Sequence, residues 1–103
     1  MIIIFIHRWL RPDKELQEII CERIKRLAKL LHIEVAEVTL ERNGPSGPPF
    51  TARILLAVAG PDLYAEERNH TPEATIHKVL DKLARQIERR GQTAITPESG
   101  GAG

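Results

Sequence analysis

The sequence predicts an α+β domain of element order β-α-β-β-β-α, a four-stranded sheet with two helices packed on one face. Three observations lead there. Ile2 to Ile6 is a continuous β-branched and aromatic run, too short for a helix. Apolar residues recur at helical spacing over residues 14–31 and again over 72–90. Between them, residues 35–68 alternate apolar and polar with period two, interrupted by turn formers. A chain of 103 residues can bury one core and little more, so residues 1–91 are expected to form one domain and 92–103 a disordered tail.

Each element has a local cause. The first strand, β1 at Ile2–Ile6, is apolar at every position and therefore reads as central or covered on both faces. Arg11-Pro12-Asp13 supplies a proline stop and an N-cap carboxylate, after which helix α1 is expected to run to about Leu31. Its stripe is Leu16, Ile19, Ile20, Ile24, Leu27, Leu30 and Leu31. In β2, Ala36, Val38 and Leu40 point inward while Glu37, Thr39 and Glu41 point to water. Asn43-Gly44-Pro45-Ser46-Gly47-Pro48-Pro49 cannot continue a ladder and makes a long hairpin loop. Phe50, Ala52, Ile54, Leu56 and Val58 are the inward positions of β3, and Gly60-Pro61-Asp62 turns the chain into β4, Leu63 to about Arg68. Thr71-Pro72 caps helix α2, whose stripe is Ile76, Val79, Leu80, Leu83 and Ile87 and whose stop is expected at Gly91.

Composition excludes several classes of protein. The longest apolar run is five residues, whereas a membrane-spanning helix needs about 20 and a secretory signal about 7–15. A soluble, unprocessed chain without a membrane partner is expected. The single Cys21 cannot form an internal disulfide, which suits the reducing cytoplasm.

The formal net charge of +1 hides a segregation. Residues 1–31 carry seven bases against four acids, and residues 68–90 carry six against three. The intervening 32–67 hold two bases and six acids. Since charges beyond about 8 Å are screened at physiological salt, a partner meets the nearest face and not the net value. On α2, Lys78, Lys82, Arg85 and Arg89 follow at i, i+4, i+7 and i+11, within about 60° of one another and opposite the apolar stripe. On α1, Arg23, Arg26 and Lys29 drift along one flank, Arg23 being the least exposed. Side by side on one sheet face, the two helices would bring both rows to a common ridge. Such a ridge fits a polyanion, because each neutralised phosphate releases counterions; a solvated surface fits the same pattern.

These residues resemble a known family. The element order, the segment Arg23-Ile24-Lys25-Arg26-Leu27-Ala28-Lys29-Leu30 and above all Asp81-Lys82-Leu83-Ala84-Arg85-Gln86-Ile87-Glu88-Arg89 look like the ribosome hibernation-promoting factors and ribosome-associated inhibitors, over residues 2 to about 90. The resemblance implies a cytoplasmic translation inhibitor that holds small-subunit ribosomal RNA through basic rows on both helices, obstructing messenger and transfer RNA. Arg23, Arg26 and Lys29 match the first row, and Lys82, Arg85 and Arg89 the second; Lys78 extends it on geometry alone. Two departures stand out. The family commonly has an acidic residue and an aromatic where this chain has His70-Thr71-Pro72-Glu73-Ala74, and its loop is shorter than Asn43 to Pro49. The chain is expected to be a short-form member, without the C-terminal dimerisation domain of the long forms.

Other constellations carry less. His7, His32, His70 and His77 lack metal-ligand spacing, so no metal or other cofactor is expected. Cys21 lacks the surroundings of a nucleophile. Glu66 and Glu67, adjacent in a strand, point to opposite faces and cannot serve together as acid and base; a solvated acidic edge is expected there. Trp9 is expected to pack over the sheet end, with base stacking beside Arg8 and Arg11 as the alternative. The expected partner is therefore the small ribosomal subunit and its RNA, with no enzymatic step and no small-molecule substrate. The alternative function is a protein-interaction module using the outer sheet face of Glu37, Thr39, Glu41 and Arg53, or the Asn43–Pro49 loop.

Overall fold

The computed structural model describes the backbone of residues 1–99 and residue burial through position 91. The element order is the expected one: β1 (Ile2–Arg8), α1 (Lys14–Leu27), β2 (Ile33–Arg42), β3 (Phe50–Val58), β4 (Leu63–Asn69) and α2 (Pro72–Ser99). The strands lie in sequence order. β1 pairs parallel to β2, from Ile2 opposite Val35 to Arg8 opposite Glu41, with α1 as the crossover. β2, β3 and β4 form an antiparallel meander.

Registry divides the sheet into two faces. Ala36, Val38 and Leu40 of β2, Ala52, Ile54 and Leu56 of β3, and Leu63 and Ala65 of β4 are buried on one face with Leu16, Ile20 and Ile24 of α1 and Ile76, Val79, Leu80 and Leu83 of α2. Every α2 residue of the expected stripe is buried. Both helix starts are capped as their sequences require. Asp13 Oδ1 accepts from the Leu16 N–H at 3.2 Å, and Thr71 Oγ1 accepts from the Ala74 N–H at 3.1 Å ahead of Pro72. The Asn43–Pro49 loop is cinched by one residue. Asn43 donates its backbone N–H to Pro49 O and its side-chain amide to Pro48 O, and accepts from the Thr51 hydroxyl.

Four expectations are corrected. β1 is an edge strand: Ile3 and Phe5 pack against the core, while Ile2 is 62% and Ile4 42% exposed. The meander grows away from β1 on the far side of β2, so an apolar run here encodes strand formation without encoding a central place. α1 stops at Leu27, and Ala28–Leu30 form a tightened turn in which Lys29 and Leu30 donate to carbonyls three residues back. Leu30 is consequently exposed, as is Ile19. Trp9 does not cover the sheet end; it is 86% exposed, at φ 58°. Helix α2 continues past Gly91 to Ser99, since glycine inside a helix costs about 1 kcal/mol without forbidding it. The disorder expected of 92–103 falls on residues whose side chains, and from 100 onward whose backbone, lie outside the described residues.

Truncating a buried residue of α1 and an exposed one in the turn after it separates these assignments. Ile24→Ala should lower unfolding free energy by about 2–5 kcal/mol, whereas Leu30→Ala should stay within about 0.5 kcal/mol, both read by denaturant titration.

Candidate functional site

The buried stripe of α2 fixes its rotation and turns the basic residues outward. Lys78, Lys82, Arg85 and Arg89 are all exposed, forming a crest on the side of α2 opposite its buried stripe. Two side-chain contacts hold this rotation from the sheet side. The Gln86 amide donates to Tyr64 O at 3.0 Å, and Arg90 Nη2 donates to Pro61 O at 2.7 Å.

The helices meet through one of the expected residues. Arg23 of α1 crosses to α2, where its Nη2 donates to Asp81 Oδ1 at 3.1 Å and its Nη1 to His77 Nδ1 at 3.2 Å. The expected low exposure of Arg23 holds, at 26% for the side chain. Arg26 instead pairs within its own helix, with Glu22 at 3.1 Å, an exposed i,i+4 contact of the kind that contributes little. Lys29 stands in the turn beyond α1. Arg23 is thus joined to α2 beside the basic row, through Asp81 and His77, whereas Arg26 pairs within α1 and Lys29 lies beyond its end.

Glu67 is the residue that sequence reasoning misplaced. It was expected in a solvated acidic edge, yet its registry partner is Ala52 on the helix-covered face, and its side chain is only 19% exposed. One carboxylate oxygen meets Lys82 Nζ at 3.2 Å and the other meets Lys78 Nζ at 3.5 Å. A single half-sequestered acid therefore grips the first two bases of the row. No local signal could reveal this, because the pairing depends on how α2 lies along β4.

The outer sheet face is occupied by its own charges. Arg53 donates to Glu41 at 2.8 Å and to Glu66 at 3.3 Å, and the Tyr64 hydroxyl donates to the same Glu66 oxygen at 2.8 Å. The hydrogen bond to Glu41 raises the Arg53 pKa most, and partial burial raises that of Tyr64. Glu66 is held below the ordinary carboxylate value chiefly by the Tyr64 hydroxyl, with Arg53 adding to the effect. Adjacent Glu66 and Glu67 do face opposite ways, as expected.

Among the described residues, no three His, Cys, Asp or Glu side chains gather where a metal ion could be held. A shallow open cleft of about 410 Å³ lies between β1 and α1, lined by Phe5, Cys21 and residues of mixed charge including Lys14, Glu18 and Lys25. Among the described residues no helix is long and apolar enough to cross a membrane.

The family model for the sigma 54 modulation protein / S30EA ribosomal protein matches residues 3–93. This chain belongs to that family. The family resemblance read from the element order and the two helix segments is thereby borne out, and the family is one of ribosome-associated hibernation factors, not known as enzymes. Its fold is shared by solved structures. The N-terminal domain of Thermus thermophilus Protein Y matches with TM-score 0.73 at 23% identity, over 86% of this chain and 98% of that one. A ribosomal subunit interface protein from Coxiella burnetii matches with TM-score 0.76 at 13% identity, over 89% of this chain and 99% of that one. No curated protein matches the chain.

The depressed Glu66 pKa has a defined sign. The folded state binds fewer protons than the unfolded state, so the contribution is complete above the ordinary value near 4.5 and is lost as pH falls through the lower folded value. Glu66→Gln should therefore flatten the fall in melting temperature between about pH 5 and pH 3, measured by thermal unfolding against the parent protein.

Proposed function

We propose that this protein is a cytoplasmic ribosome hibernation factor that holds small-subunit ribosomal RNA against the crest of α2, with Arg23, Arg26 and Lys29 of α1 as the adjoining contact. The observation that carries the reading is the crest itself: Lys78, Lys82, Arg85 and Arg89 exposed on the face opposite a wholly buried stripe. A helix placed against phosphates needs no sequence readout, because position and counterion release supply the affinity. Inhibition then follows from occupancy. A bound protein excludes messenger and transfer RNA from the same space, without cofactor, substrate or chemical step. Family membership supports the ribosome as partner.

The outer sheet face favours the alternative less. Glu41, Arg53, Glu66 and Tyr64 satisfy one another, so a protein partner would have to break those contacts to reach them.

Co-sedimentation with purified small ribosomal subunits tests the reading. If about five phosphates are engaged, log affinity should fall against log salt with a slope of roughly −3.5 to −4.5. Replacing Lys82, Arg85 and Arg89 together by glutamate should abolish pelleting while leaving the circular dichroism spectrum of a folded domain; the melting temperature should fall modestly, because Lys82→Glu sets a second carboxylate against Glu67. Equal pelleting of parent and variant would refute the crest as the site. Glu67→Gln should act in the opposite direction, because it removes one negative charge beside Lys78 and Lys82. Affinity for subunits should rise about two- to fivefold at low salt, and the gain should shrink as salt screens it.

A further inference from the structure

Trp9 occupies a position that packing does not explain. Its backbone lies in the left-handed region, φ 58°, which is uncommon for any residue with a side chain and tends to persist where it serves a site. The neighbours explain the geometry. Arg8 ends β1 opposite Glu41, and Leu10 turns back to pack against the core, so the residue between them is driven outward. The indole is 86% exposed, the highest value among the exposed large apolar side chains. Water gains nothing from that arrangement, and a partner with a flat face does.

The surroundings indicate which partner. Arg8 and Arg11 flank Trp9 and are both exposed. At the same end of the sheet, Arg42 lies over the Phe50 ring at 5.6 Å, and Arg68 shares a row with Arg8 through Glu41 and Thr51. Arg11 and Leu10 line a small cleft with Leu40 and Pro72, which sets the loop against the first turn of α2. Lys78, where the basic crest begins, is six residues along α2 from Pro72, about 9 Å of helix rise. An anchor for a protein partner sits amid other apolar contacts that exclude water. Here the other exposed large apolar residues lie at a distance: Ile4 is five residues back along β1, roughly 16 Å from Trp9, Ile2 and Met1 are farther still, and Ile19, Leu30 and Tyr64 belong to other segments. An aromatic face between guanidiniums is instead the surface on which unpaired bases stack while flanking phosphates are held.

We propose that Trp9, Arg8 and Arg11 form a second RNA contact, in which the indole stacks on an unpaired base and the two guanidiniums hold the adjoining phosphates. This rests on the reading of the α2 crest as an RNA-binding surface and extends it to the β1–α1 loop.

Trp9 is the only tryptophan of the chain, so its fluorescence reports the contact directly with oligoadenylate and heparin, and a parallel titration of the Trp9→Phe variant is subtracted to remove the subunits' own emission. The full chain is titrated at low salt with single-stranded oligoadenylate, with heparin as a polyanion lacking bases, and with small ribosomal subunits, while pelleting with subunits is followed in parallel. Oligoadenylate and subunits should quench the emission by about half or more through stacking, and heparin should not. Trp9→Ala should weaken subunit binding about five- to fiftyfold, and Trp9→Phe, which keeps an aromatic face, should restore most of it. Pelleting without quenching overturns the Trp9 contact and leaves the ribosome reading intact. Quenching by oligoadenylate without pelleting supports the contact with RNA and overturns the ribosome as its source. A blue shift on subunit binding in place of quenching marks burial against ribosomal protein and overturns base stacking, as does equal quenching by heparin.

Discussion

The packing of α2 on the sheet governs the rest of the molecule. A helix has one azimuth to offer, and here Ile76, Val79, Leu80, Leu83 and Ile87 commit it to β3 and β4. Once that face is taken, the side chains half a turn away lie on the exposed side of the helix, from which Lys78 and Lys82 reach back to Glu67. Lys78, Lys82, Arg85 and Arg89 are exposed because of what lies beneath them, and their mutual repulsion is outweighed by hydrophobic burial worth about 1.5–3 kcal/mol per large side chain. The basic surface is stable in the absence of any ligand because its cost is met by the opposite side of the same helix.

Electrostatics then shape this surface without erasing it. Glu67 anchors Lys78 and Lys82 from the edge strand, and Asp81 draws Arg23 across from α1. These pairs shorten the reach of three long side chains and hold them over the body of the protein. In the proposed RNA contact, a polyanion would meet cations already ordered in part. It would also compete with Glu67 for both lysines, which would disfavour loose contact with any stray phosphate more than contact with a fitted array.

Much of the fold was legible in the sequence because burial and periodicity are local properties. The α2 stripe, the inward positions of β2 and β3, and both N-caps follow from residue spacing alone. The departures share a different cause: each depends on where an element lies relative to others. Ile2 and Ile4 are exposed because β1 has one neighbour, Leu30 because α1 must break to enter β2, and Trp9 because Leu10 takes the inward place. At the site, the α2 row was readable at helical spacing, whereas Arg23 with Asp81 and Glu67 with the two lysines join residues far apart in the chain. Gly91 misled for a simpler reason. A residue that tolerates a helix end does not compel one.

The parallel pairing of β1 also sets an order on assembly. β1 hydrogen-bonds to β2 alone, and β2 is separated from it by the whole of α1. During synthesis the strand is made before anything it can pair with exists. Its apolar residues must wait until Arg42 has been added, whereas β2, β3 and β4 close through short connections soon after each is made. Of the four strands, β1 thus waits longest between its own synthesis and that of its partner, and α1, amphipathic and already complete, is the nearest shelter for Ile3 and Phe5 in the interval.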